Sequence, residues 1–289
     1  MTSNASPKTL LPGYVAVVLA ITLLLAGCNQ KASNNANTPA EPARPASTIN
    51  AAQIIERTRK LDDFSDSVMK LRARIQVENP AAQLTPIPPE VQMTMYRKRA
   101  ADGSQMMRVD FTAPPTQRDL SALIAITPAG EIEGTRYTQS NNTFVTSRGV
   151  LGEDSLFGMT LQEMAGGQPE RYDWKLVGEE TFNQTPVYRL DGRLKPAAES
   201  KFNHVILFVA KDNFAAVGAE FYDDHDELMR RMKVDKLAQI NGHWTRMHWT
   251  VDNRSRQKKV EFETLEARYD QNLSAALFSR DQLKQVASR

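Results

Sequence analysis

From Met69 to Glu78, within the stretch Ser67 to Glu78, apolar and polar residues alternate without a break. Met69, Leu71, Ala73, Ile75 and Val77 fall on one side, and Lys70, Arg72, Arg74, Gln76 and Glu78 on the other. A period of two belongs to a β-strand, because successive side chains point to opposite faces of the pleat. One apolar face and one wet face describe an antiparallel sheet packed on a single side.

The next two segments repeat the pattern and carry their own register. Val91, Met93 and Met95 alternate with Gln92, Thr94 and Tyr96, and Met107, Val109 and Phe111 alternate with Arg108 and Asp110. A two-residue Asp102-Gly103 turn would set Met95 against Asp110. A three-residue loop from Ala101 to Gly103, with Gly103 left-handed, sets Met95 against Val109 and Met93 against Phe111. The second register is expected, since the buried face decides the pairing. Further strands, each bounded by turn residues, are predicted at Ser121–Thr127, Glu131–Thr138, Tyr172–Val177, Pro186–Asp191, Phe202–Ala210, Ala216–Tyr222, Leu228–Ala238, His243–Val251 and Lys258–Tyr269. Asn241-Gly242 marks a hairpin. Helices are expected from Asn50 to Asp62, capped by Asn50 with Gln53 reaching back, over Asp154–Met164, and from Ser279, with Gln282 placed for a capping box. The reading is a mainly β (α+β) domain of roughly a dozen short antiparallel strands and a few helices, with no strand–helix–strand repeat.

The single cysteine of the 289 residues lies in Leu23-Leu24-Leu25-Ala26-Gly27-Cys28-Asn29-Gln30. The apolar run from Val15 to Leu25 has the length of a signal h-region and is short for a bilayer span. Leu-x-Ala-Gly-Cys is similar to the bacterial lipobox, which implies cleavage before Cys28 and lipidation of its sulfur and new amine, and multiple acyl chains give stable anchoring. Asn29 is not the aspartate that retains lipoproteins at the inner membrane, so this resemblance points to the outer membrane, facing the periplasm. Residues 29–48, rich in Asn, Ala, Pro and Ser, read as a tether. Its end-to-end distance is roughly 25 Å. The expected organisation is a signal peptide over 1–27, the lipidated cysteine and tether over 28–48, and a folded domain over 49–289.

No catalytic pattern stands out. The chain has no Gly-x-Ser-x-Gly elbow, no phosphate loop and no Gly-x-Gly-x-x-Gly. With Cys28 lipidated no thiol nucleophile is left, so neither an enzyme nor a cofactor is expected. A net charge of +2 argues against nucleic acid. His243 and His248 are an odd number of positions apart on one strand and cannot chelate together. Asp223-Asp224-His225-Asp226-Glu227 falls between two strands and reads as a solvated turn rather than a metal site. Arg254 to Lys259 reads as a basic turn, with contact to anionic lipid headgroups as the functional alternative. The sheet's apolar face is rich in methionine, at Met69, Met93, Met95 and Met107, and methionine adapts to irregular partners.

Tyr172-Asp173-Trp174-Lys175-Leu176-Val177-Gly178-Glu179-Glu180, Pro186–Leu190, Val205–Lys211, Glu220–Asp223, Ile240–Trp244 and the ending Leu273–Ser279 follow one another in an order that resembles the outer-membrane lipoprotein-sorting-protein-like family. That family shares its fold with the lipoprotein carrier LolA and its receptor LolB. The stretch Gly152–Phe157 departs from the family's usual pattern before the central helix. The resemblance implies a curved antiparallel incomplete β-barrel closed by a few helices, with a face that holds acyl chains. On this chain those chains are expected among Met93, Met95, Met107, Val109, Phe111, Leu156, Phe157 and Leu161. The expected partners are the membrane through the anchor, lipid or lipoprotein acyl chains, and an envelope transport protein. The alternative is an accessory envelope lipoprotein with a closed core that acts through protein contacts.

Overall fold

Thirteen strands make a single antiparallel sheet in the computed structural model, which describes residues 49–79, 88–128, 131–148 and 169–286. They are β1 (Asp66–Val77), β2 (Glu90–Arg99), β3 (Gln105–Ala113), β4 (Leu120–Ile126), β5 (Ile132–Thr138), β6 (Thr143–Arg148), β7 (Tyr172–Phe182), β8 (Thr185–Leu194), β9 (His204–Ala210), β10 (Ala216–Tyr222), β11 (Leu228–Ile240), β12 (His243–Asn253) and β13 (Lys258–Tyr269). Across the sheet the order is β6-β5-β4-β3-β2-β1-β13-β12-β11-β10-β9-β8-β7. Every neighbouring pair is consecutive in sequence except β1 and β13. The edges are β6 and β7, so the sheet is curved and open, an incomplete barrel.

The hairpin register follows the buried face. Met93 pairs with Phe111 and Met95 with Val109. Gly103 is left-handed, at φ 86°, and the Ala100 and Ser104 backbones close the loop at 2.8 Å. At the β11–β12 hairpin Asn241 and Gly242 both take positive φ, as a type I′ turn demands.

Two strands differ from the sequence reading. β6 was not expected, because Thr143–Arg148 is a short exposed edge with no apolar alternation to reveal it. β7 runs on to Phe182 past Gly178, where a register shift between Leu176 and Gly178 makes a bulge rather than an end. The expected helix over Asp154–Met164 lies outside the described residues.

Helix α1 (Ala51–Lys60) has the full capping box: Asn50 Oδ1 accepts from the Gln53 amide and Gln53 Oε1 from the Asn50 amide. Its Ala51 and Ile54 pack with Leu190 of β8 and Val209 of β9. The alternate residues of β9, Ile206, Phe208 and Ala210, belong to a second cluster with Val187, Val217 and Val234. β9 is thus buried on both faces. The largest cluster joins Leu71, Ala73 and Ile75 of β1 to Val260 and Phe262 of β13 and to the apolar faces of β2, β3 and β4. Trp249 stacks on Phe262 at 4.9 Å.

The β1–β13 joint is fastened by two carboxylates, one buried and one exposed. Asp66 is fully buried, and its carboxylate accepts from the amides of Gln271 at 2.7 Å and Leu273 at 3.0 Å. Asp270 accepts from both the amide and the hydroxyl of Ser65, each at 2.9 Å. From there residues 273–286 cross the polar faces of β1 to β6 as a strap. The Leu277 carbonyl accepts from Arg108 Nη1 at 3.0 Å. Ser279 caps helix α2 (Arg280–Val286), and its Oγ accepts from the Gln282 amide. Arg280 donates to Thr146 at 2.8 Å, and Leu283 is fully buried. The face of β3 expected to be wet is therefore covered in part. Arg108 is 0% exposed, and its Nε lies 2.9 Å from both oxygens of Asp110.

A buried pair that loses one partner strands the other charge. Arg108→Ala is expected to destabilise the fold by about 3–5 kcal/mol, whereas Arg108→Met with Asp110→Leu recovers most of the loss. Urea unfolding checks both; a neutral single variant would contradict the role given to the pair. Hydrogen bonds from the Ser65 amide and hydroxyl, with His243 beside them, hold the Asp270 carboxyl below its ordinary value. Its contribution to stability is therefore present above the unfolded pKa of about 3.9 and is lost as pH falls through the lower folded value. Asp270→Asn is expected to lower Tm at neutral pH and to match the parent protein near pH 2, as read by thermal melts.

Candidate functional site

Strands β2 and β3 gather five of the sequence-predicted ligand residues. Met93, Met95, Val109, Phe111 and Met107 occupy one face of the hairpin, which continues into Met69 and Leu71 of β1 and into Ala122 and Ile124 of β4. The strand period alone puts them there. Met93, Met107, Val109 and Phe111 are at most 6% exposed, and Met95 is partly buried against them. Leu156, Phe157, Leu161 and Cys28 lie outside the described residues.

The apolar row Val91–Met93–Met95 ends at Arg97, which stands opposite Met107. This arginine marks the rim of the face. Its guanidinium lies 5.0 Å above the Phe64 ring and 4.0 Å from Asp62. Arg99 pairs with Asp63 at 3.1 Å. Phe64 meets Tyr269 at 5.1 Å, and His243 meets Tyr269 at 4.5 Å. The Tyr269 hydroxyl is 2.8 Å from Thr245 Oγ1, and burial pushes this phenol above its ordinary value. Between Phe64, Arg97, Arg99, Met106, Met107 and Ile124 is a recess of about 10 Å³, the room of one water. The sequence reading did not single out this rim. The signal was there: an arginine in the position where the alternation calls for another apolar side chain.

All four histidines lie among the described residues. Each of the four faces an aspartate: His204 with Asp226 at 3.0 Å, His225 with Asp224 at 2.8 Å, His243 with Asp270 at 3.2 Å and His248 with Asp235 at 3.3 Å. His243 and His248 thus have separate partners. Among the described residues the metal-like cluster is Asp223, Asp224 and His225. It is the β10–β11 turn, where Asp223 Oδ1 accepts from the His225 and Glu227 amides at 2.9 Å. The basic run Arg254–Lys259 spans the β12–β13 turn, a short 3-10 turn over Arg254–Arg256 with Gln257 left-handed, and its two lysines begin β13. Among the described residues no helix is long and apolar enough to cross a membrane.

The arrangement is an apolar sheet face with an ionic rim. No curated protein matches the sequence. Among solved structures, a DUF1329 family protein from Desulfovibrio piger superposes with a TM-score of 0.70 at 19% identity, over 80% of this chain and 96% of that one. An outer membrane lipoprotein-sorting protein domain from Vibrio parahaemolyticus gives 0.70 at 16% identity, over 80% and 97%. A LolA superfamily protein from Nitrosomonas europaea gives 0.59 at 14% identity, over 81% and 99%. At these identities the likeness establishes the fold, an open LolA-like sheet. A family model described as uncharacterized-protein-like matches residues 103–285, more than half of the chain. The chain belongs to that family of uncharacterized proteins and has the LolA-like fold.

Proposed function

We propose that this protein is a lipoprotein, anchored through Cys28 to the outer membrane and facing the periplasm, that binds lipid or lipoprotein acyl chains on the apolar face of its half-barrel. The observation that carries the reading is the continuous face shared by Met93, Met95, Met107, Val109 and Phe111 on an open sheet. In this reading Leu156, Phe157 and Leu161 complete the binding face. The Vibrio parahaemolyticus relative, a lipoprotein-sorting domain, supports it by analogy of fold. The protein acts as a carrier or receptor in envelope lipid or lipoprotein transport and catalyses no reaction.

The energetics are those of apolar burial. Each buried methylene is worth about 0.8 kcal/mol, so roughly ten of them supply on the order of 8 kcal/mol, equivalent to micromolar affinity before ordering costs. Methionines suit such a surface because their unbranched, polarisable side chains repack around chains of different length. No nucleotide-binding motif is present in the sequence, so direction would come from a partner with higher affinity.

A second reading has its own support. Four of the nominated residues are at most 6% exposed, and the recess at the rim holds only one water. In that reading the face is a closed core, and the protein is an accessory lipoprotein that works through protein contacts.

Met95→Asp separates the two, since Met95 is only partly buried at the edge of the cluster. Binding of acyl chains predicts a variant that stays folded by circular dichroism and loses uptake of a fluorescent fatty acid by about tenfold or more. Global unfolding of the variant, or unchanged uptake, would speak for the closed core.

A further inference from the structure

Two arginines reach the apolar face where the methionine row ends. Arg97 follows Met93 and Met95 on β2 and lies opposite Ser67 of β1. Arg246 of β12 pairs with Leu237 of β11, which packs with Trp249 against the core cluster on this face. The Tyr269 phenol, opposite Ser67 on its other side, feels the charge of both guanidiniums. We propose that Arg97 and Arg246 hold the oxyanion head, carboxylate or phosphate, of a lipid whose chain lies along the methionines. Resting on the acyl-chain reading, this narrows the ligand to an acidic lipid.

The charges at this end leave room for such a head. Among the described residues no carboxylate comes within ion-pair reach of Arg246, and no group accepts a hydrogen bond from its guanidinium. Its side chain reaches solvent, yet protein atoms crowd around it, and this desolvation holds the guanidinium below the ordinary arginine value. Asp62 favours its charge and Arg97 opposes it, so the two arginines repel each other. Arg97 is itself met by the half-exposed Asp62 at 4.0 Å and by the Phe64 ring. Asp63 is taken by Arg99, and Asp270 by Ser65 and His243. One carboxylate thus serves two guanidiniums, and an oxyanion shared by them supplies the second negative charge. The guanidinium fork fits carboxylate and phosphate oxygens alike, through charge-assisted hydrogen bonds.

Ser67 supplies an independent observation. It is fully buried, and its Oγ has no hydrogen-bond partner among the described residues. Buried hydroxyls are nearly always paired, so a bare one calls for an explanation. Its neighbours in register are Arg97 and Tyr269, and the next pair along the same face is Met69 with Met95. Head and chain therefore fall on one line. The Phe64 ring covers the row, 5.0 Å from Arg97 and 5.1 Å from Tyr269. The recess beside Arg97 has room for one water and none for a phosphate, so the head enters by displacing Phe64. That displacement gives the Ser67 hydroxyl an acceptor and the arginines their counter-charge together.

The test compares dodecanol, laurate and dodecyl phosphate, which share a chain length and differ in the head. Each displaces an uncharged fluorescent probe at neutral pH from the full chain carrying Cys28→Ser, which brings no acyl group of its own. Laurate, dodecyl phosphate or both are expected to bind about tenfold or more tighter than dodecanol, and the preferred one names the head. Inorganic phosphate should compete far more weakly than dodecyl phosphate; equal competition would make a free anion, not a lipid, the ligand and overturn the proposal. Arg246→Gln is expected to erase the preference and leave dodecanol binding unchanged, and Arg246→Lys to keep part of it. Lys175→Gln, which alters an exposed lysine on the edge strand β7, should change nothing. Should Arg246→Gln fail to fold, Arg97→Gln takes its place with the same expectation. Equal affinity for all three ligands, or a preference that survives the arginine variant, would overturn the head site and leave acyl-chain binding standing. Binding of none of the three would overturn acyl-chain binding and the head site with it.

Discussion

The pairing of β1 with β13 is the contact on which the rest of the molecule depends. Every other strand pair joins neighbours in sequence and would form as a local hairpin. Without this joint the chain is two separate meanders, β1 to β6 and β7 to β13, neither holding the whole of the largest core cluster. That cluster spans the joint, with Leu71, Ala73 and Ile75 on one side and Val260 and Phe262 on the other. The joint brings together residues about two hundred positions apart, so its loop-closure entropy is the largest single ordering cost in the sheet. Side-chain burial on one face and the carboxylates of Asp66 and Asp270 on the other offset it.

One consequence reaches the candidate binding face. Because β1 fixes β13 on one side and β2 on the other, it sets the register that lines up Met69, Met95 and Val109 across three strands. The same joint starts the C-terminal strap. Asp66 turns the chain after β13, and the strap then crosses the polar faces of six strands to end on β6. The half-sheet that presents the apolar face is therefore braced from behind, and its rigidity rests on Arg108, Asp110 and Leu283 rather than on closure of the barrel.

Much of this was legible in the sequence. The period of two, the Asp102-Gly103 and Asn241-Gly242 turns and the Asn50–Gln53 capping box are local signals, and each appears in the structure where its residues predict it. What was not legible is non-local. Nothing in Asp66–Val77 says that its second partner is Lys258–Tyr269, since any amphipathic strand offers the same face. The alternation marks Arg108 and Asp110 as the wet side of β3, and the strap that covers them comes from the other end of the chain. β6 escaped because an exposed edge strand has no apolar face to encode. Gly178 reads as a strand end, but the ladder resumes beyond a bulge. Arg97 could have been read as the rim of the apolar face, because it breaks the row that Val91, Met93 and Met95 begin.

The central claim is that the apolar face of β1 to β4 receives acyl chains. Native mass spectrometry of the protein purified gently from the periplasm in a form lacking Cys28, with lipid extraction in parallel, tests it most directly. Acyl chains bound to the sheet face predict discrete adducts of lipid mass that extract as fatty acids or phospholipids. A bare polypeptide mass that takes up no lipid from vesicles would contradict the claim and assign the methionine-rich face to a closed core.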